Sequence, residues 1–394
     1  MTQLNINSED LLEHQSVPAT DDLDYTIFGG ESLDLPLSTQ REIRETFVRS
    51  AFHQHIRGCS EYADFVARKN IDTEHVALDT IPVIPVSAFK EQTLTSLPVA
   101  QIEKWSLSSG TRGTQSKVGR DQKSLERLLG SIHTGMEMLG QWHEDQVDVV
   151  HLGPTRNEAG DIWFLYVMSL IELIHPTTHF VASGTFQSRQ AIDRIIDTLH
   201  HSDQDIIVVG APFLVIELTN VIEHRQLDIA AQDRLMVVTA GGWKRHSGME
   251  LTRAAFNERV CRVFGLSSDA QVRDIFNQVE LNTAFVECSA HRKHVPPWVY
   301  ASTRHADDLS VQRSGELGLL SYLDASATSY PAFIVTDDVG RVYEGTCPCG
   351  REGVTMEVVR RLTRAAARGC AMAIDRKTSA LVPTEETDNE SDDV

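Results

Sequence analysis

The sequence predicts an α/β fold with a largely parallel sheet, and three observations predict it. Short continuous apolar runs at residues 147–152, 206–209 and 235–239 read as strands buried on both faces. Each run ends in a glycine- or proline-containing turn: Gly153-Pro154, Gly210-Ala211-Pro212 and Gly241-Gly242. Helical patterns fill the intervals, and alternating strands and helices imply parallel strands joined by helical crossovers. In such folds ligands gather at the carboxyl ends of the strands, where these turns lie.

Taken in order, the first residues are acidic and polar and are expected to be loose. Residues 38–69 read as a charge-rich helix through Phe47, Phe52 and Tyr62. Residues 80–90 read as extended, with Pro82 and Pro85 among branched residues. A short strand is expected at 102–107 and an amphipathic helix at 125–139. Helices at 163–174, 190–200, 214–224 and 251–264 alternate with the apolar strands. Beyond Gly315 the spacing changes to short strands with turns, at 316–322, 332–336 and 341–343. The expected organisation is a flexible N-terminus (1–22), an α/β domain (23–340), a short C-terminal segment (341–378) and a disordered acidic tail (379–394).

Composition excludes several classes of partner. The chain has 394 residues and a net charge of -20, which argues against nucleic acid or anionic membrane. No apolar run approaches the roughly 20 residues that span a bilayer, and the N-terminus lacks a signal pattern, so a cytoplasmic location is expected. The 6 cysteines are scattered, which does not suit a disulfide framework.

The segment richest in chemistry is Ser108-Ser109-Gly110-Thr111-Arg112-Gly113-Thr114, followed by Ser116 and Lys117. Glycines bring backbone N–H groups close to a ligand, and successive N–H groups make a concave anion site. Hydroxyls add donors and Lys117 adds positive charge, a combination suited to a polyphosphate and so to an enzyme that uses ATP. The spacing is neither Gly-x-x-x-x-Gly-Lys-Ser/Thr nor Gly-x-Gly-x-x-Gly. A flexible polar linker has the same composition, but the strand and helix on either side argue against one.

These residues resemble the phosphate loop of the adenylate-forming enzymes, with Arg112 and Ser116 as departures. Phe276-Asn277-Gln278-Val279-Glu280, Gly315-Glu316-Leu317-Gly318, Thr336-Asp337-Asp338-Val339 and Gly350-Arg351 are similar to later motifs of that superfamily, in its order. A narrower resemblance is to the acyl-protein synthetases of bacterial luminescence (LuxE type). It is carried by Gly241-Gly242-Trp243-Lys244, Val279-Glu280-Leu281-Asn282-Thr283, His294-Val295-Pro296-Pro297-Trp298, Cys347-Pro348-Cys349-Gly350-Arg351 and Arg368-Gly369-Cys370. It covers roughly residues 81–375.

The resemblance implies the superfamily's large α/β domain, a small β-rich C-terminal part and a truncated C-terminal domain. It implies ATP-dependent activation of a carboxylate, fatty or aryl, as an acyl adenylate with release of pyrophosphate. Acyl transfer to a thiol would follow: Cys370, a partner reductase or a carrier protein. On the same basis Ser108, Ser109, Gly110, Thr111, Gly113 and Lys117 would hold phosphates, and Glu280 would bind Mg²⁺ through hard oxygen. Phe276 and Asn277 would flank the adenine, Asn277 tolerating the left-handed backbone that the family's glycine supplies there. Asp338 would accept the ribose hydroxyls, with Arg351 reaching ribose or phosphate. Gly241 and Gly242 would let the backbone approach the adenylate, and Pro212, Phe213 and Trp243 would border the acyl pocket. For Glu280 a solvated surface charge, and for Asp338 a plain Asp-Asp-Val-Gly turn, are the bland alternatives.

The cysteines divide between two uses. Cys288, His294, Cys347 and Cys349 supply a zinc-like ligand set, with His291 as the substitute; reduced half-buried thiols are the alternative. Cys370 follows Arg364 and Arg368, a positive setting that favours thiolate; the alternative is a cysteine buried in a strand at 370–374. Only Lys377 follows the Gly-Arg pair as a lysine, in a poor context for the superfamily's remote catalytic lysine, which favours the short acyl-protein synthetase over a coenzyme A or amide ligase. A non-catalytic nucleotide-binding scaffold remains the competing class. A zinc hydrolase lacks any His-Glu-x-x-His.

Overall fold

In the computed structural model, which describes residues 23–109, 115–144, 147–241 and 251–361, the apolar runs lie side by side. Strand Ile206–Gly210 pairs in parallel with Asp148–Leu152 on one side and Leu235–Ala240 on the other. Val272–Phe276 extends the sheet beyond Leu235–Ala240, and Thr177–His179 closes the opposite edge, both in parallel. Phe285–Val286 is the antiparallel outer strand.

The expected burial on both faces is visible residue by residue. Val150, Leu152, Ile206, Val208, Leu235, Val237 and Val272 pack into one apolar cluster. Val149, Ile207, Val209, Met236 and Val238 face a second, larger one. Alternation along each strand assigns successive side chains to opposite faces, so these strands have no wet side to mark with polar residues. Helices Ser188–His201, Pro212–His224 and Arg253–Phe264 cover the first face through Ile192, Ile195, Val215, Ile222, Phe256 and Val260. Their starts follow the usual rules: Pro212 sits in a first turn, and Thr252 accepts from the Ala255 N–H at 3.2 Å.

The larger cluster fills the space between this sheet and an antiparallel one. Its strand order is Lys293–Val295, Glu352–Arg361, Phe333–Thr346, Gly318–Asp324 and Val299–Arg304, with Ile84–Pro85 pairing alongside Phe333–Thr346. Trp298, Tyr322, Tyr330 and Phe333 are fully buried there. Helix Gln122–Met136 packs between the sheets, started by Asp121, whose carboxylate accepts from the Ser124 N–H at 3.2 Å. Strands Lys104–Leu107 and Lys117–Arg120, on either side of the hydroxyl- and glycine-rich segment in sequence, pair as an antiparallel hairpin.

Three expectations change in detail. The helix read at 38–69 is two, Leu37–Gly58 and Ser60–Ala67, with Cys59 extended between them. A side chain at Gly58 would meet the Ser96 carbonyl at 2.3 Å, so the chain turns where it passes closest to its neighbour. The strands read at 332–336 and 341–343 are one strand, Phe333–Thr346, and the boundary expected after 340 falls inside it. Gly340 there serves close strand packing, since its added Cβ would meet the Glu357 carbonyl at 2.1 Å. Third, Val272–Phe276, Val299–Arg304 and Glu352–Arg361 form strands that sequence reading passed over. Their charged and polar members mask the apolar run that marked the others. Among the described residues no helix is long and apolar enough to cross a membrane.

Candidate active site

Strand Val272–Phe276 runs out at the carboxyl edge of the parallel sheet into the segment Asn277–Thr283, and one arginine holds that segment. Arg120 ends the second strand of the hairpin and is fully buried. Its Nη2 donates to the carbonyls of Val279 at 2.6 Å and Leu281 at 3.0 Å and to the Tyr330 hydroxyl at 2.9 Å. Its Nε donates to Asn282 Oδ1 at 3.0 Å. The guanidinium lies 3.4 Å from the centroid of the Trp163 ring. Burial lowers the Arg120 pKa from its ordinary value, with the Tyr330 and Glu280 charges opposing that shift.

Glu280 sits at the centre of the clamped segment and is 6% exposed. Burial raises its pKa above the ordinary carboxylate value; the Ser116 hydroxyl, then the more distant cations Arg361 and Lys90, offset part of the rise. The structure thus brings the hairpin neck, Glu280 and two cations together. Gln278 Nε2 donates a short hydrogen bond to Asp338 Oδ2, which ties the same segment to the antiparallel sheet. Asp338 is buried, and Arg361, its partner across the strands, places Nε 4.0 Å from Oδ1.

Asn277 does not take the left-handed backbone expected of it. Its side chain acts instead as a bridge: the Trp163 Nε1–H donates to Oδ1 at 2.5 Å, and Nδ2 donates to the Thr283 carbonyl at 2.8 Å. Phe276 is half-buried against Phe285 and Tyr322. Ser108 closes the hairpin neck, its N–H donating to the Ser116 carbonyl and its hydroxyl accepting from the Ser116 N–H, each at 3.0 Å. Ser109 lies beside it, half-buried. Lys117 is exposed, with Nζ 4.4 Å from the centroid of the Trp105 ring. Gly241 follows strand Leu235–Ala240 with φ +77° and lies against the Phe164 ring. Pro212 and Phe213 begin their helix at the same carboxyl edge. Gly110, Thr111, Gly113, Gly242, Trp243 and Cys370 lie outside the described residues.

Arg351 is not brought to this cluster. It lies at the turn end of the long hairpin, where its Nε donates to Asp34 Oδ1 at 2.7 Å, whereas Asp338 is at the other end. Arg361, not Arg351, is the arginine opposite Asp338. Sequence reading missed Arg120, Gln278, Lys90 and Arg361. Arg120 carried the clearest signal, a cation closing the short strand that follows the hydroxyl-rich loop, three residues after Lys117.

The four residues read as a zinc-like set do converge. Cys288, His294, Cys347 and Cys349 offer ligand atoms that all lie within 4.8 Å of one another. His291 turns away, with its ring nitrogens 3.6 Å from Asp269 and 3.7 Å from Glu287. Burial holds the His294 imidazole down at about 4 and pushes the Cys347 thiol up to about 12.

The sequence profile of the family described as acyl-protein synthetase, LuxE, matches residues 1–379. A long-chain-fatty-acid–luciferin-component ligase of Aliivibrio fischeri is 41% identical over 362 residues, 92% of this chain and 96% of that protein. The ligase of the same name from Vibrio harveyi is 37% identical over 369 residues, 94% of this chain and 97% of that protein. Among solved structures, a 2-hydroxyisobutyryl-CoA ligase in an open conformation, in complex with 2-HIB-AMP and CoA, is similar with a TM-score of 0.66 at 13% identity. That likeness covers 87% of this chain and 78% of the other, and it is a likeness of fold.

The Arg120 clamp yields a stability prediction. Arg120→Met leaves two carbonyls and the Asn282 side chain without their buried donor, at about 1–3 kcal/mol each. Urea unfolding is expected to show a loss of roughly 3 kcal/mol or more. Arg120→Lys is expected to restore little of it, because an ammonium cannot present the planar fork.

Proposed function

The chain belongs to the LuxE acyl-protein synthetase family, a family of ligases, and we propose that it activates a carboxylic acid with ATP and passes the acyl group to a thiol. The observation that carries this reading is the convergence of the hairpin neck, Glu280 and Asp338 in one cluster flanked by Lys90 and Arg361. The names of the two relatives support a long-chain fatty acid as the acid.

A carboxylate is a poor electrophile, and ATP corrects that. One carboxylate oxygen attacks the α-phosphorus, the bond to the β-phosphate oxygen breaks, and pyrophosphate leaves with its electron pair. A thiolate then attacks the acyl carbonyl, and AMP departs as the leaving group. The protein's contribution is positioning and charge stabilisation. Ser108, Ser109, Gly110, Thr111, Gly113 and Lys117 hold the phosphates, and Arg361, rather than Arg351, is the arginine beside the ribose-binding Asp338. Phe276 offers its half-buried face to the base. Pro212, Phe213, Gly241, Gly242 and Trp243 border the acyl end.

Glu280 suits Mg²⁺. It is a hard oxygen donor, nearly buried, facing a hydroxyl, and it forms no ion pair among the described residues. When bound, Mg²⁺ supplies charge neutralisation at the phosphates. Zinc at Cys288, His294, Cys347 and Cys349 is a further cofactor that stands independently of this chemistry, supported by their convergence. Cys370, nine positions after Arg361, is the first acceptor in this reading. Nine extended residues reach about 30 Å, enough to bring the thiol to the adenylate. A reductase or carrier protein is the final acceptor.

The test is direct. With ATP, Mg²⁺ and a panel of fatty and aryl acids, the protein is expected to release pyrophosphate with a long-chain acid. Its intact mass should rise by that acyl group, and Cys370→Ala should keep pyrophosphate release while losing the mass increase. Nucleotide binding without turnover across the panel would favour a scaffold instead.

Acidity gives an independent check on Glu280. Because its pKa is raised in the fold, it holds a proton at pH values where an ordinary glutamate has lost it. A cation needs the carboxylate ionised, so Mg²⁺ affinity should weaken, and the Mg²⁺ requirement rise, as pH falls, beginning above the ordinary carboxylate range. The Mg²⁺ concentration for half-maximal pyrophosphate release, measured against pH, should show this limb in the wild type. Glu280→Gln should abolish it while lowering the rate.

A further inference from the structure

We propose that Cys288, His294, Cys347 and Cys349 form a closed structural zinc site that clamps the turn of the long hairpin to the edges of both sheets. The site stands apart from the acyl-activating chemistry, and its assignment does not depend on that reading.

The donor spacing fits the metal. Zinc with Zn–S bonds of about 2.3 Å and tetrahedral angles sets its sulfurs roughly 3.8 Å apart, with sulfur–nitrogen edges of roughly 3.5 Å. Here Cys288 Sγ and Cys347 Sγ are 3.7 Å apart, and Cys349 Sγ is 3.3 Å from His294 Nε2. All four donors meet within 4.8 Å, although 61 positions of chain separate the first from the last. Three thiols and an imidazole are the soft and borderline ligands that zinc selects, and among the described residues no carboxylate joins them. Three thiolates and one zinc carry a net negative charge. Arg273 lies close enough to Cys288 and Cys349 for their charges to act on it, and so offsets that charge.

The backbone is shaped for the task. The Cys288 N–H donates to the Arg292 carbonyl at 2.9 Å, and the His291 N–H to the Cys288 carbonyl at 3.0 Å, closing a tight loop beneath the first ligand. The Cys347 N–H donates to the Arg351 carbonyl at 2.8 Å, and the Gly350 N–H to the Cys347 carbonyl at 2.8 Å, closing a second loop beneath the paired cysteines. His294 lies in strand Lys293–Val295, opposite Thr355.

Location fixes the role. Cys288 follows Phe285–Val286, the outer strand of the parallel sheet, and His294 belongs to the outer strand of the antiparallel sheet. Cys347 and Cys349 lie in the turn joining Phe333–Thr346 to Glu352–Arg361. Four protein donors leave no open position, which is the mark of a structural zinc. Asp338 lies eight residues up the strand from Thr346, roughly 27 Å at the usual rise, so the metal acts mechanically on the hairpin and takes no part in chemistry there.

The test reads the metal itself. Full-length protein purified without chelator should contain one zinc per chain by elemental analysis, and Cys349→Ser and Cys288→Ser should fall to background. Protein produced in cobalt-supplemented minimal medium should show intense visible bands of tetrahedral Co²⁺ and a thiolate-to-cobalt charge-transfer band. Chelation should lower the thermal midpoint of the wild type by roughly 5 °C or more, and leave the Cys349→Ser midpoint unchanged. Zinc at background in the wild type together with no cobalt bands would overturn the proposal, as would one iron per chain. Pyrophosphate release, measured on the same preparations, reports on acyl activation separately, so either idea can fail alone.

Discussion

The site depends on one buried cation. Arg120 reaches from the hairpin into a space between two sheets and gathers carbonyls that have no other donor among the described residues. A guanidinium suits this because its planar fork carries five donors at fixed angles and its face stacks on Trp163. Desolvating it is costly. That cost is offset by multiple hydrogen bonds and by the nearby Asp324 and Glu280 charges. The result is a link between the hairpin neck and the segment that carries Glu280.

Asn282 extends the link. Its Oδ1 accepts from Arg120, while its Nδ2 donates to the Ser124 carbonyl at 2.8 Å. Its N–H donates to Asp324 Oδ2 at 3.0 Å. Thr283 continues the chain, its hydroxyl donating to Asp324 Oδ1 at 3.1 Å and accepting from the Trp298 indole at 2.9 Å. The parallel sheet, helix Gln122–Met136 and the antiparallel sheet therefore meet in one polar network inside an apolar core. Such a network favours this arrangement, because breaking any of these bonds leaves a buried polar group unpaired.

How much of this was legible follows from what each residue answers to. The parallel strands were readable because both faces are apolar, so the run needs no partner to be recognised. Glu280 and Asp338 stood out in the sequence through their motifs, and the cluster of Cys288, His294, Cys347 and Cys349 through residue type alone. Arg120 and Gln278 were not, because their roles come from contacts with segments far away in sequence: 162 positions separate Arg120 from Asn282, and 60 separate Gln278 from Asp338. Arg351 illustrates the opposite case. Its motif context suggested a place beside the nucleotide, but strand register decides which arginine faces Asp338, and register puts Arg361 there.

The long hairpin makes that register consequential. Its bulge lies between Val339 and Gly340, next to Asp338, so the pairing up to that point must hold for Asp338 and Arg361 to face each other. A slip of one residue anywhere below the bulge would turn Asp338 to the opposite face and separate it from Gln278. The turn at residues 347–351 is the natural place to prevent such a slip, since it fixes the count on both strands at once. The hydrogen-bonded loop beneath Cys347 and the packing of Cys349 on His294 perform that function at one end, and the Gln278–Asp338 contact performs it at the other. The Asp338 carboxylate is thus positioned by constraints at both ends of a hairpin, of which only one touches it.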